Sequence, residues 1–106
     1  MTDEQADQAS LHLRLYVVGA ARNSIAAIRN LNAILSGQRP ESFVLEIVDC
    51  VREPGRALAE GVLVTPTLVR VRPEPQRTIV GSLSELEQVA SALGLEVRPA
   101  RPATNE

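Results

Sequence analysis

A chain of 106 residues, 44% of them apolar, is enough for one domain with one hydrophobic core and too short for two. With 11 basic against 13 acidic residues and a formal net charge of -2, it lacks the basic excess of a general nucleic-acid binder. A single cysteine, Cys50, excludes an internal disulfide. No apolar run approaches the roughly 18 residues of a membrane span, and Met1 to Ser10 are polar and acidic, the reverse of a signal peptide. The expectation is a cytoplasmic protein with a disordered leader over 1–10, one domain over 11–97 and a flexible tail over 98–106. Tyr16 and Phe43 are the only aromatics, so Leu, Ile, Val and Ala must build the core.

From Leu11 to Val18 the residues Leu11, Leu13, Leu15 and Val17 alternate with His12, Arg14 and Tyr16, the period of a strand with one face on a core. Gly19 breaks the run. Asn23 or Ser24 is placed to cap a helix whose Ile25, Ile28, Leu31, Ile34 and Leu35 recur every three or four residues, and Gly37 and Pro40 end it. Phe43 to Asp49 reads as a second strand, with Phe43, Leu45 and Ile47 on one face and Val44 and Val48 on the other, so both faces are expected to be covered. Strand, helix and strand make a βαβ unit, which closes with parallel strands.

Glu53 to Gly61 opens at a proline and suits a short helix. Thr67 to Arg72 and Arg77 to Val80 flank Pro73-Glu74-Pro75-Gln76 and predict an antiparallel hairpin. Ser82 or Ser84, with Glu85 or Glu87 three residues on, offers a capping box for a last helix carrying Leu83, Leu86, Val89, Ala90 and Leu93, with Gly94 at its end. The order β-α-β-α-β-β-α with a mixed sheet is an α/β, thioredoxin-like arrangement.

In a redox enzyme of that fold the paired cysteines sit between the first strand and first helix, where the helix N-terminus stabilises a thiolate. Here that segment is Gly19-Ala20-Ala21-Arg22-Asn23-Ser24, which carries no nucleophile. Cys50, beside Val48 and Val51 with no resolving partner, reads first as a small apolar group, and residual thiol redox activity through it is the alternative. His12 is the sole histidine and the six glycines are scattered, so no metal site, phosphate loop or cofactor is expected. Asp49, Arg52, Glu53 and Arg56 can form an ionic network near the end of the second strand. Thr65-Pro66 opens the third strand where thioredoxin-like folds place a cis proline, an ordinary trans bond being the alternative. Arg70, Arg72 and Arg77 fall on the hairpin, with Arg70 and Arg72 two apart on one face of the same strand, and predict a compact basic patch for a protein partner, or equally a solvated outer face.

Leu15-Tyr16-Val17-Val18-Gly19 with Asn23-Ser24, then Val48-Asp49, Thr65-Pro66-Thr67-Leu68, Pro73 and Pro75, Ile79-Val80-Gly81 and Leu83-Ser84, in register from about Leu11 to Leu95, resemble the KaiB family of bacterial circadian clock proteins. The resemblance implies a non-enzymatic clock or stress-response component that binds the ATPase ring of a KaiC-like partner and modulates its phosphorylation cycle. It also implies capture of KaiA, competition with a sensor histidine kinase, and passage between a tetrameric ground-state fold and a thioredoxin-like one. It extends to the KaiB-like sensor module of a clock histidine kinase, although a stand-alone protein is expected here because no kinase segment follows. Arg70, Arg72 and Arg77 are the expected charged contacts, and Val44, Glu46 and Val48 the strand that docks a second partner; a homo-oligomer is the remaining association expected.

Ser82, Glu46 and Gly61 depart from the family pattern, and an acidic tail is missing. Ala92 stands where glycine is common, and alanine favours helix by up to about 1 kcal/mol. The expectation is a protein that rests in the thioredoxin-like fold.

Overall fold

The computed structural model describes residues 10–95. Strand β1 (Leu11–Val17) leads into helix α1 (Arg22–Leu35), a 3-10 turn (Pro40–Ser42) and strand β2 (Phe43–Asp49). Helix α2 (Pro54–Glu60), strands β3 (Thr67–Arg72) and β4 (Arg77–Val80) and helix α3 (Leu86–Leu93) complete the chain order. The four strands form one sheet in the order β2-β1-β3-β4. β1 runs parallel to β2, as the βαβ pattern requires, and antiparallel to β3, while β3 and β4 form the hairpin over the predicted residues. The α/β, thioredoxin-like reading holds. Of the leader only Ser10 is described, and its N–H donates to the Ser42 carbonyl at 3.2 Å; the expected tail lies outside the described residues.

The alternation of β1 divides the molecule. Leu11, Leu13, Leu15 and Val17 join α1, α3 and Leu68 in the main core, and Tyr16, on the other face, joins Val48, Ala57 and Val69 in a smaller core beneath α2. Helix α1 meets the sheet through the expected Leu31, Ile34 and Leu35, with Ile28 packed against the same core, but its first turn differs. Ser24, Ala27, Leu31, Ile34 and Leu35 are its buried residues, and Ile25 is exposed. Small side chains at Ser24 and Ala27 let the helix approach the strand closely, which turns Ile25 outward by about 100°, the step of one helical residue.

The predicted caps are also corrected. Ala21, not Asn23 or Ser24, occupies the N-cap of α1, and no side chain caps the helix. The Ser24 hydroxyl is committed elsewhere: it accepts the Val18 N–H at 3.1 Å, satisfying a backbone group just past the end of β1. No Ser82 or Ser84 capping box forms either. Helix α3 begins at Leu86 with Glu85 at its cap position and no side-chain cap bond, because Leu83 first turns into the core with φ of 64°. Asn30 Nδ2 holds this turn by donating to the Ser82 carbonyl at 2.8 Å. Gly94 closes α3 as expected, in the left-handed conformation that glycine adopts without a Cβ clash.

Strand β2 is not covered as its two apolar faces suggested. It is an edge strand paired only to β1, and although Val48 is buried, Val44 and Ile47 are exposed. The Thr65–Pro66 bond is cis, settling that alternative, and Arg72–Pro73 and Glu74–Pro75 in the hairpin turn are cis as well. Leu31, fully buried between α1 and the sheet, is the keystone of the main core. Leu31→Ala is expected to lower stability by about 2 to 5 kcal/mol through lost burial and a residual cavity; urea unfolding checks this as a lower midpoint at unchanged slope.

Candidate partner-binding surface

The face of the sheet that carries α2 is held by charged side chains. Arg14 on β1 and Glu46 on β2 stand directly opposite in register, and Arg14 Nε donates to Glu46 Oε1 at 3.2 Å. Arg56 on α2 donates to the same carboxylate through both guanidinium arms, with Nη2 to Oε1 at 2.8 Å. Glu60, at the end of α2, accepts from Arg14 Nη1 at 2.7 Å, from the Tyr16 hydroxyl at 3.1 Å and from Gln76 Nε2 at 3.0 Å. Two carboxylates thus tie β1, β2, α2 and the hairpin turn together. Burial pushes the Tyr16 phenol up, which keeps it protonated and donating. The expected group of Asp49, Arg52, Glu53 and Arg56 is present only loosely, at 4.0 Å for Arg52–Asp49 and 3.6 Å for Arg56–Glu53; the main partner of Arg56 is Glu46.

The residues singled out on β2 therefore differ in what they offer. The side chain of Val48 is fully buried, Glu46 is engaged by two arginines and Val44 is exposed. What β2 presents to a partner is its unpaired backbone edge, with Val44 and Ile47 on opposite faces of it. On the hairpin, the compact patch expected of three arginines is corrected to two exposed ones. Arg72 and Arg77 are exposed, but Arg70 is only 8% exposed, since α3 lies over its side of β3 and takes its guanidinium. Its Nη1 donates to the Ala92 carbonyl at 2.8 Å and Nη2 to the Pro75 carbonyl at 2.7 Å.

A further surface was not anticipated. The C-terminal ends of β1 and β2 and the N-terminal end of β3 share one end of the sheet. Exposed apolar side chains gather there: Val51 after β2, and Leu63, at 89% exposure, and Val64 just ahead of Pro66; Leu58 on α2 is exposed as well. The consecutive apolar residues Val62-Leu63-Val64 outside any predicted element were the available signal. Cys50 lies at this end, half-buried against the smaller core, and its N–H donates to the Val17 carbonyl at 2.8 Å. No group of three or more His, Cys, Asp or Glu among the described residues is arranged to hold a metal ion.

Two titrations follow from these contacts. The Arg56 hydrogen bonds hold the Glu46 carboxyl below its ordinary value of 4.5. A carboxyl lowered by folding contributes stability above its unfolded pKa and loses it as pH falls through the folded one. Thermal unfolding is therefore expected to weaken below about pH 4.5, and Glu46→Gln to flatten that decline while lowering the midpoint at pH 7. Burial first, and the Asp49 charge second, push the Cys50 thiol up, leaving less thiolate at neutral pH. Iodoacetamide is expected to alkylate Cys50 at pH 7 several-fold more slowly than free cysteine; an equal or faster rate contradicts the geometry.

Comparison with known proteins places this architecture. The family model described as the KaiB domain matches residues 14–95. A circadian clock oscillator protein KaiB from Acaryochloris marina is 41% identical over 83 residues, covering 78% of this chain and 80% of that protein. Its namesake from Microcystis aeruginosa is 36% identical over 94 residues, covering 89% and 90%. Among solved structures, the N-terminal domain of Synechococcus elongatus SasA superposes with a TM-score of 0.67 at 22% identity, over 80% of each chain. The Drosophila thioredoxin Deadhead does so with 0.69 at 15% identity, over 87% of this chain and 88% of that one; both likenesses concern the fold. With the domain match spanning most of the chain and relatives near 40% identity, the protein belongs to the KaiB family.

Proposed function

We propose that this protein is a non-enzymatic clock or stress-response component that binds the ATPase ring of a KaiC-like partner and modulates its phosphorylation cycle. The observation that carries the reading is the apolar group at the Pro66 end of the sheet. Val51, Leu63 and Val64 face solvent there, where a redox enzyme of this fold would present paired cysteines and the segment Gly19 to Ser24 has none. Exposed apolar side chains in such a cluster suit a docking face. The family relationship supports a KaiC-like ring as the occupant, because the relatives are named clock oscillator proteins.

The free edge of β2 supports a second contact by strand addition, in which main-chain hydrogen bonds supply affinity; KaiA or a sensor histidine kinase is the partner proposed for it. Arg72 and Arg77 are proposed as charged contacts at the rim. Ala92 sits inside α3, which supports a resting state in the thioredoxin-like fold.

The test is size-exclusion co-elution of the full chain with the KaiC-like ATPase of its own genome, with ATP, in phosphorylated and unphosphorylated states. State-dependent co-elution is expected, with Leu63→Asp weakening it at least tenfold, about 1.4 kcal/mol, without altering thermal stability. Absence of binding in both states overturns the proposed partner.

A further inference from the structure

Arg70 carries a charge that no carboxylate among the described residues balances. The residue is over nine-tenths buried, its two hydrogen bonds go to neutral carbonyls, and its Nε has no partner among the described residues. The ion pairs among the described residues use Arg14, Arg39, Arg52 and Arg56, so no described carboxylate lies within 4.0 Å of Arg70 or of Arg77. A buried charge without a counter-charge is costly. Arg77 makes the imbalance worse, since it stands directly opposite Arg70 in the β3–β4 register, where like charges repel.

Both arginines line one open cleft of about 490 Å³ between the hairpin and α3, together with Glu87, Gln88, Ser91 and Ala92. Its wall includes Ala92, whose carbonyl receives Arg70 Nη1, so the buried charge lies against the cleft. Arg77, Gln88 and Ser91 are exposed and bring a guanidinium fork, an amide and a hydroxyl to the same space.

We propose that this cleft binds a single oxyanion group of the carboxylate or phosphate class. Arg77 meets it in the planar, two-pronged geometry that suits such groups. Ser91 and Gln88 add neutral donors, and Arg70 supplies positive potential from behind. Glu87, in the same lining, opposes the anion, and the two arginines outweigh it. The proposal is independent of any KaiC-like partner: a free phosphate and an acidic side chain on a docked peptide present the same chemistry.

The experiment is an amide-resolved NMR titration of the full chain at pH 7 and fixed ionic strength. The probes are sodium phosphate and a capped Ala-Glu-Ala peptide, each against sodium chloride, on the native protein and on Arg77→Gln and Ser91→Ala. Saturable shifts are expected at Arg77, Gln88 and Ser91, with the apparent affinity falling at least tenfold in Arg77→Gln. Saturation by the peptide identifies a side-chain carboxylate as the source; saturation by phosphate alone identifies the free anion. Shifts that neither probe produces beyond chloride, or that persist at equal affinity in Arg77→Gln, overturn the site. Far-UV circular dichroism of both variants confirms that each remains folded.

Discussion

Strand β1 has a neighbour on each side, so its backbone groups are shared between β2 and β3 and its side chains decide what each face of the sheet holds. Its odd positions are all leucine or valine and draw α1 and α3 onto one face. Its even positions are His12, Arg14 and Tyr16, too polar for a second apolar layer of the same size. The other face therefore closes over a small core of Tyr16, Val48, Ala57 and Val69, rimmed by carboxylates and guanidinium groups. A one-residue slip of β1 would exchange the two faces and leave Arg14 in the main core, so the register is fixed by chemistry.

The two halves of the chain are joined differently from the way each is built. Within the first half, β1, α1 and β2 share a continuous apolar contact. The hairpin and the last helix add to that core through Leu68, Leu83, Val89 and Leu93 and to the sheet through the β1–β3 ladder. Of the polar struts, Gln76 to Glu60 and Asn30 to Ser82 reach across to them, while Arg70 ties β3 to the last helix at Ala92 and to the hairpin turn at Pro75. Such contacts are directional and each contributes only about 0.5 to 1.5 kcal/mol net, more where a charge takes part. They specify an arrangement more than they stabilise it.

Most strand limits and the hairpin were legible because alternation and proline placement act locally, and the short helix after β2 was legible from its opening proline. The caps were not. Ser24 has the chemistry of a cap, yet a strand-end N–H claims its hydroxyl, and only the approach of β1 to α1 decides between the two. The same holds for Ile25, whose spacing fits the stripe while the small pair Ser24 and Ala27 turns the helix away from it. Strand β2 read as covered because its composition is apolar on both sides, but edge position is a property of the whole sheet. Among the candidate contacts, Arg72 and Arg77 were recognisable as surface groups. Arg70 was not recognisable as an interior one, because two-residue spacing assigns a face without saying which helix covers it.

Leu83 bears on how this chain can drift in sequence. A left-handed backbone costs a residue with a Cβ roughly 1 to 2 kcal/mol, and burial of a leucine returns about 1.5 to 3, so the two terms nearly cancel at φ of 64°. Alanine would keep the strain and forfeit the burial, whereas glycine would shed the strain with the side chain. The tolerated neighbours of leucine here are therefore not ordered by size or hydropathy, and a substitution path through small apolar residues crosses a barrier that a single step to glycine avoids.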